Sequence, residues 1–508
     1  MTALRRPTIA VVGAGIAGLA AAWELVHGHD GNEPLSPRVV VLESGDRIGG
    51  KMASAEFAGR TLDLAADAFL ARRPEATGLV DELGLADQLV PVGTSGALLW
   101  ARGKLRMMPA GLNLGVPTRW WPLARSGILS TGESLAVARD LFPFHRAEVS
   151  IGDRSVGDIV GARLGRPVVD RLVDPLVGGI HAGGVDGLSA AATFPGLLAA
   201  GQQTGSLMRR LGRVPTPAPD TSSPVFWSLS GSMASLALQL GDALTRSGVT
   251  IRTGVSVDAI ESNGADRSDP ARWALSLGGA GAPTGPDGGA HLVADGVILA
   301  VPASEAAVLV APHAPGAAGM LHSVEYASVA VITLSLPPGA IPTPLSGTGF
   351  LVPRTSTIDG RPALITGCTY LGRKWPHLAR TGDELIRLSV GRFGDERHAG
   401  LGDDELTASA FGELSRVLDI RGGPLESQVT RWEGAFPQYE VGHLNKVARI
   451  DESIAGLRGV ALAGAAYRGV GIPACIGSGR AAAQRVLSSL SGDPGRSGGR
   501  TGEPGSPR

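Results

Sequence analysis

Three glycines at a fixed spacing are the first residues in this 508-residue chain that could do chemistry. Gly13-Ala14-Gly15-Ile16-Ala17-Gly18 matches GxGxxG. The first glycine permits a tight turn, the second lets backbone approach a pyrophosphate, and the third lets helix and strand pack closely. A helix starting there turns unpaired N–H groups and the positive end of its dipole toward phosphates. Glu43 supplies a carboxylate for ribose hydroxyls. It lies 30 positions after Gly13, more than the usual separation of roughly 20, and the polar loop from His27 to Pro37 takes up the excess. An acid here repels a 2′-phosphate, which disfavours NADP. In Arg47-Ile48-Gly49-Gly50-Lys51 two glycines allow close backbone passage, and Arg47 and Lys51 are cations suited to phosphate. A second glycine turn, Gly469-Val470-Gly471-Ile472-Pro473, opens another helix whose N-terminus can stabilise negative charge. There is no convincing Ser/His/Asp or Cys/His arrangement.

Positioning these residues requires particular elements. Thr8 to Val12 (TIAVV) reads as a strand, Leu19 to Val26 as a helix, and Arg38 to Leu42 (RVVVL) as a second parallel strand, making a βαβ unit. From Leu114 to Leu211 the pattern turns helical, with Ser155 as an N-cap. Val249 to Ile260, Trp273 to Leu277 and Gly296 to Pro302 read as strands, joined by loops at Glu261 to Arg272 and Gly278 to Ala290. Ser323 begins a β-rich region that runs to Arg449. The strand Gly459 to Gly464 and a helix around Gly479 to Leu490 then return the chain to a nucleotide fold. The expected class is α/β. A discontinuous Rossmann-like domain occupies 7–90, 216–305 and 450–490, a mainly helical insertion 91–215, a β-rich substrate domain 306–449, and a disordered tail 491–508.

Composition narrows the function classes. Gly is 74 of 508 residues, twice the usual share of about 7%, without the G-X-Y period of collagen. With 46 Lys+Arg against 47 Asp+Glu, no global field is available to hold nucleic acid. Cys368 and Cys475 sit in no CxxC or Cys/His cluster, which argues against a disulfide framework, a zinc site or any other metal, and points to the cytoplasm. The apolar run Ile9 to Val26 after Arg5 and Arg6 carries the fingerprint glycines and lacks a small-residue cleavage site, so it reads as fold rather than signal peptide. Arg119-Trp120-Trp121 is a candidate anchor for peripheral membrane contact, with ordinary packing as the favoured alternative.

GAGIAG, the strand-end Glu43 and RIGGK together resemble the FAD-binding family that includes amine oxidases, phytoene desaturases and protoporphyrinogen oxidases. Four further segments (Leu62 to Leu85, Ser155 to Pro195, Thr430 to His443 and Gly464 to Ala483) are similar to protoporphyrinogen and coproporphyrinogen oxidases, and the likeness spans Pro7 to Leu490. It implies FAD contacts at Gly13 to Gly18, Glu43, Ser44, Arg47, Gly49, Gly50, Lys51 and Ala65, Ala66, Asp67 and Ala68. It also implies Val257 beside the adenine, Trp432 near the cofactor, and Val470, Gly471 and Ile472 at the flavin ring. Relatives usually have Gly before the Asp where this chain has Ala65-Ala66.

The same resemblance implies that flavin N5 carries the chemistry. N5 takes hydride from a porphyrinogen meso carbon, and dioxygen reoxidises the flavin to give hydrogen peroxide. It places Gly179, Ile180 and His181 against the macrocycle, with the Gly179 carbonyl accepting a pyrrole N–H and His181 in a packing role. Arg72 and Arg73 resemble a basic pair at the substrate mouth. Gly96 stands where the plant and animal branch often has Arg, and Lys374 to His377 (KWPH) is of bacterial type. Both favour the coproporphyrinogen-oxidising branch of haem biosynthesis, with protoporphyrinogen IX as the alternative substrate and a haem-pathway enzyme as a candidate partner. An amine oxidase is disfavoured because His322 to Leu336 lacks Lys. A non-catalytic binder resembling GDP-dissociation inhibitors is opposed by the intact RIGGK and GVGIP segments.

Overall fold

The computed structural model describes residues 5–28, 36–94, 96–142, 152–213, 224–262, 272–282 and 290–491. Most of the two connector loops and the tail read from the sequence lie outside the described residues.

The β-branched runs Thr8–Val12 and Arg38–Leu42 pair in parallel, Thr8 opposite Arg38 and Val12 opposite Leu42. They are the centre of a five-stranded parallel sheet ordered Thr250–Arg252, Arg38–Leu42, Thr8–Val12, Gly296–Leu299, Val460–Leu462. Helices cover one face and a mixed layer covers the other, so every residue of Thr8–Val12 is buried and no polar alternation appears. On the helical face, Ile16–His27 lies against Ile472–Ser491 and Met233–Arg246 over one apolar core. The first two helices meet at backbone distance because Gly479 has no side chain. A Cβ there would stand 2.0 Å from the Ala17 carbonyl oxygen. The opposite face carries the antiparallel strands Ser256–Ser262, Trp273–Gly278 and Ala290–Ala294 and the helices Ala303–Val310, Pro315–His322 and His443–Ala455.

A seven-stranded sheet faces this body. Its order is Glu426–Pro437, Tyr326–Leu336, Glu384–Val390, Ile365–Tyr370, Gly349–Leu351, Leu98–Ala101, Lys104–Met107. The last two strands lie at the start of the stretch 91–215, ahead of the helices that fill most of it. LLWA and KLRM are only four residues each, and Leu98–Ala101 pairs with Gly349–Leu351, far along the chain. No local pattern carries such a pairing. The run Val249 to Ile260 likewise divides, at Gly254 with φ +70°, into Thr250–Arg252 of the parallel sheet and Ser256–Ser262 of the antiparallel one.

The helical region behaves as its caps suggest. Ser155 Oγ accepts the Asp158 N–H at 2.9 Å and starts the helix Val156–Leu164. A π-helix, Val169–Gly178, follows with Pro175 inside it. π-Helical turns are rare and frequent at functional sites, and this one delivers Gly178 and Gly179 to the wall of the large cavity.

Candidate functional site

A single cavity of about 1160 Å³ runs from the C-terminal ends of the parallel strands to the seven-stranded sheet. It exceeds the roughly 300–1000 Å³ of a typical small-molecule site, which leaves room for an extended dinucleotide and a second molecule. Its position outside the carboxyl ends of parallel strands is where α/β sheets bind ligands.

At one end lies the turn after Thr8–Val12. Gly13 has φ +99°, and a Cβ there would stand 2.5 Å from the Ala300 carbonyl oxygen; a Cβ on Gly18 would stand 1.9 Å from the Gly13 oxygen. Those two glycines are required by the fold itself. Gly15 differs, because nothing lies within 4 Å of an added Cβ, and the open space is the cavity. Gly13, Gly15, Ile16 and Ala17 line it, while Ala14 and Gly18 stand behind the wall. The loop Gly49–Gly50 closes over the turn through a Gly49 N–H to Ala14 carbonyl bond of 2.8 Å. This is a cradle of backbone N–H groups that side chains would fill, and it fits a pyrophosphate.

Glu43 lines the cavity beside Ser44, near Val257. Its Oε2 accepts the Ala14 N–H at 2.7 Å and its Oε1 the Gly45 N–H at 2.8 Å. A carboxylate oxygen has two lone pairs, so each can still accept a ribose hydroxyl. The two cations expected at the phosphates are placed differently from each other. Arg47 is absent from the cavity wall and donates to the carbonyls of Gly50 at 2.8 Å and Ile48 at 3.3 Å, bracing its own loop. Lys51 does line the cavity, but its ammonium donates to the Ala435 carbonyl on the strand Glu426–Pro437. Burial lowers its pKa, with the Cys475 sulfur acting against that. Both cations are thus committed to carbonyl oxygens.

Ala65, Ala66, Asp67 and Ala68 form the middle of the wall. They are held by Arg387, which the sequence reading did not select, and by Lys374 and Trp375 of the KWPH segment. Arg387 donates to the carbonyls of Asp63 and of Ala65, the latter at 3.3 Å. Asp67 accepts from Lys374 Nζ at 2.8 Å, Trp375 Nε1 at 3.0 Å and Arg387 at 3.4 Å. Burial alone would raise its pKa; Lys374 and Arg387 outweigh that and hold it at about 2. Arg387 and Ser389 are two apart on Glu384–Val390 and both line the cavity. That alternation is the one local signal that could have grouped them. Trp432, also in the wall, donates its Nε1–H to the Leu64 carbonyl at 3.1 Å.

Asp63 titrates in the opposite sense from Asp67. It accepts the N–H groups of Met233 at 3.0 Å and Ala234 at 3.2 Å, at the start of Met233–Arg246. Burial nevertheless pushes its pKa from 3.8 up to about 6. The folded state therefore holds an extra proton between those values, and the ionised carboxyl opposes folding above pH 6, an opposition that fades as pH falls to about 4. Asp63→Asn cannot ionise. The difference in unfolding free energy between wild type and this variant should shift in favour of wild type as pH drops from 7 to 4.5. Urea titrations across that range provide the check.

At the second glycine turn Val470, Gly471 and Ile472 line the cavity, with the N-terminus of Ile472–Ser491 beside them. Cys475 lies one turn further in. Burial pushes its pKa up to about 11, so it is a thiol rather than a nucleophilic thiolate. At the far end Gly179 and Ile180 line the cavity, as do Thr366, Ser389 and Arg392, three residues missed from the sequence. His181 does not. Its ring lies 5.7 Å from that of Tyr439, and burial drops its pKa to about 4. Arg73 is also outside the wall and pairs with Glu75 at 2.9 Å. Packing of His181 against Tyr439 is the role expected of it, and Arg73 takes its direction from Glu75, a choice the local sequence does not specify.

Among the described residues no group of His, Cys, Asp and Glu could hold a metal ion, and no helix is long and apolar enough to cross a membrane.

The chain is similar to known proteins along most of its length. The family model "Flavin containing amine oxidoreductase" matches residues 16–487. The chain is 32% identical to coproporphyrinogen III oxidase of Bacillus subtilis (strain 168), over 95% of this chain and 98% of that one. It is 33% identical to coproporphyrinogen III oxidase of Propionibacterium freudenreichii subsp. freudenreichii, over 94% and 90%. A crystal structure from Exiguobacterium sp. 255-15, provisionally named a protoporphyrinogen oxidase, superposes with a TM-score of 0.80 at 29% identity, covering 96% of this chain and 99% of that one.

Proposed function

Since the chain belongs to the flavin-containing amine oxidoreductase family, and so to the FAD-dependent oxidoreductases, we propose that it oxidises coproporphyrinogen III to coproporphyrin III in haem biosynthesis. Six electrons and six protons leave the macrocycle, and three dioxygen molecules become three hydrogen peroxide molecules. One continuous cavity carries this assignment, lined by residues of two glycine turns and also by Gly179, Ile180 and Arg392.

FAD, when bound, supplies the hydride acceptor and the site of reaction with dioxygen. The chain's own residues bind and orient. Gly15, Gly49 and Gly50 leave space for the pyrophosphate, and Glu43 accepts from the ribose. The N-terminus of Ile472–Ser491 favours negative charge at the ring end. The apolar side chains of Ile180, Val329, Val331 and Ile472 in the wall keep water from the reacting carbons. The Gly179 carbonyl accepts a pyrrole N–H and sets the register of the macrocycle. No protein nucleophile is needed, in keeping with a protonated Cys475 and a His181 that is not part of the cavity wall.

Two free, buried cysteines favour a reducing, cytoplasmic setting. Trp121, 58% exposed beneath Arg125, is a surface feature suited to a membrane interface or to a downstream haem-pathway enzyme.

The purified protein should be yellow. In air it should convert coproporphyrinogen III to a fluorescent porphyrin faster than it converts protoporphyrinogen IX, with three peroxide molecules released per porphyrin. A clear preference for protoporphyrinogen IX would move the assignment to that substrate, and a colourless protein that FAD cannot reconstitute would remove it altogether.

A further inference from the structure

Arg392 lies just beyond the end of Glu384–Val390, in a tight turn closed by an Asp395 N–H to Arg392 carbonyl bond of 2.8 Å. The Phe393 N–H donates to the Ala182 carbonyl at 2.7 Å, which docks the turn against the segment following the π-helix. The Arg392 residue is only 7% exposed, yet it lines the large cavity at the end remote from the dinucleotide turns.

A guanidinium this buried normally has a carboxylate partner. The nearby acids are engaged elsewhere: Asp395 pairs with Arg397 at 2.8 Å, and Asp174 stands 4.0 Å from Arg354. Arg354 in turn donates to the carbonyls of Phe393 and Gly183, each at 3.3 Å. Among the described residues Arg392 enters no ion pair, and its Nε has no hydrogen-bond partner. The groups facing it thus leave a buried positive charge unpaired at the wall of a cavity with apolar sides. Burial, followed by the like charge of Arg354, lowers the Arg392 pKa, and Asp174 and Asp395, neither within ion-pair distance, only partly offset this.

Given the substrate assigned above, on which this inference rests, we propose that Arg392 receives a propionate carboxylate of the porphyrinogen and thereby fixes which edge of the macrocycle faces away from the dinucleotide end. Its planar fork suits a bidentate carboxylate, and the site supplies what hydrocarbon walls cannot, a penalty for substrates lacking an anion there.

The test uses the FAD-loaded protein and its Arg392→Gln and Arg392→Lys variants, with flavin content as the check on folding. Binding of coproporphyrin III is read by fluorescence quenching, alongside KM and kcat for coproporphyrinogen III. Charged hydrogen bonds of this kind correspond to roughly tenfold to a hundredfold in affinity. Arg392→Gln should weaken coproporphyrin III binding and raise KM by about that factor, with kcat changed less than about threefold. The tetramethyl ester of coproporphyrin III, which lacks carboxylates, should bind wild type and variant alike. Arg392→Lys keeps a charge without the fork and should fall between wild type and Gln. Unchanged binding of the free acid by Arg392→Gln, or an equal loss for acid and ester, would overturn the role of Arg392. If the Gln variant fails to hold flavin, a Lys variant with wild-type KM overturns it instead. A wild-type protein that neither binds coproporphyrin III nor oxidises its porphyrinogen would overturn the substrate assignment itself, whereas an active wild type with an indifferent Arg392 removes only this inference.

Discussion

Gly15→Val should give a folded protein that carries no flavin. The backbone at Gly15 has φ −68° and ψ 171°, a conformation open to valine. No atom lies within 4 Å of the added Cβ, so the fold does not resist the change. The branched side chain instead enters the space where the pyrophosphate must meet the helix N-terminus, and it removes the close approach on which that contact depends. A clash of this kind costs about 1–3 kcal/mol and occasionally more, a loss of roughly tenfold to a hundredfold or beyond in affinity. Flavin absorbance of the purified variant should be near zero, while its unfolding transition should match that of wild type stripped of FAD. Full flavin content in a folded variant would contradict the proposed position of the cofactor. Gly18→Val is the contrasting control. Its Cβ would stand 1.9 Å from the Gly13 oxygen, so folding itself should fail.

The second large effect is expected at Asp67. Asp67→Ala leaves Lys374 and Arg387 in the protein without their shared carboxylate, and Trp375 Nε1–H without its acceptor. Breaking a buried ion pair by removing one partner costs about 3–5 kcal/mol, because the surviving charge stays buried. Arg387 keeps its bonds to the Asp63 and Ala65 carbonyls, which favours the lower half of that range. The urea midpoint should drop accordingly at constant slope. The acid side of the stability profile should change too. The folded pKa of Asp67, about 2, lies below the usual 3.8, so its stabilisation is complete above the unfolded value and is lost as pH falls through about 2. The variant should lack that component. Stability within about 1 kcal/mol of wild type would mean that the cluster is solvated and adds little.

Some of this site was readable residue by residue. The strand–turn–helix around Gly13 to Gly18 is local: strand, glycine spacing and helix lie within 20 consecutive residues, and each glycine acts through its own backbone. Glu43 follows because a parallel strand of known direction must end beside that turn. The second glycine turn was legible for the same reason. The partners of Arg47, Lys51, Arg73 and His181 were not, because long side chains choose among groups that belong to other elements.

By itself, then, the sequence determined what backbone geometry and local hydrogen bonding determine: a discontinuous nucleotide fold, its two glycine turns, the strand-end acid and, through motif likeness, the flavin family. The tertiary structure alone decided how charge is distributed around the cavity. Asp67 meets Lys374 and Arg387 across 307 and 320 positions, and Leu98–Ala101 joins a sheet with Gly349–Leu351. Arg392 enters no ion pair among the described residues because its acidic neighbours Asp174 and Asp395 lie closer to other arginines. Long-range pairing sets burial, and burial sets whether a charge must find a partner, so these assignments exist only once the chain has folded.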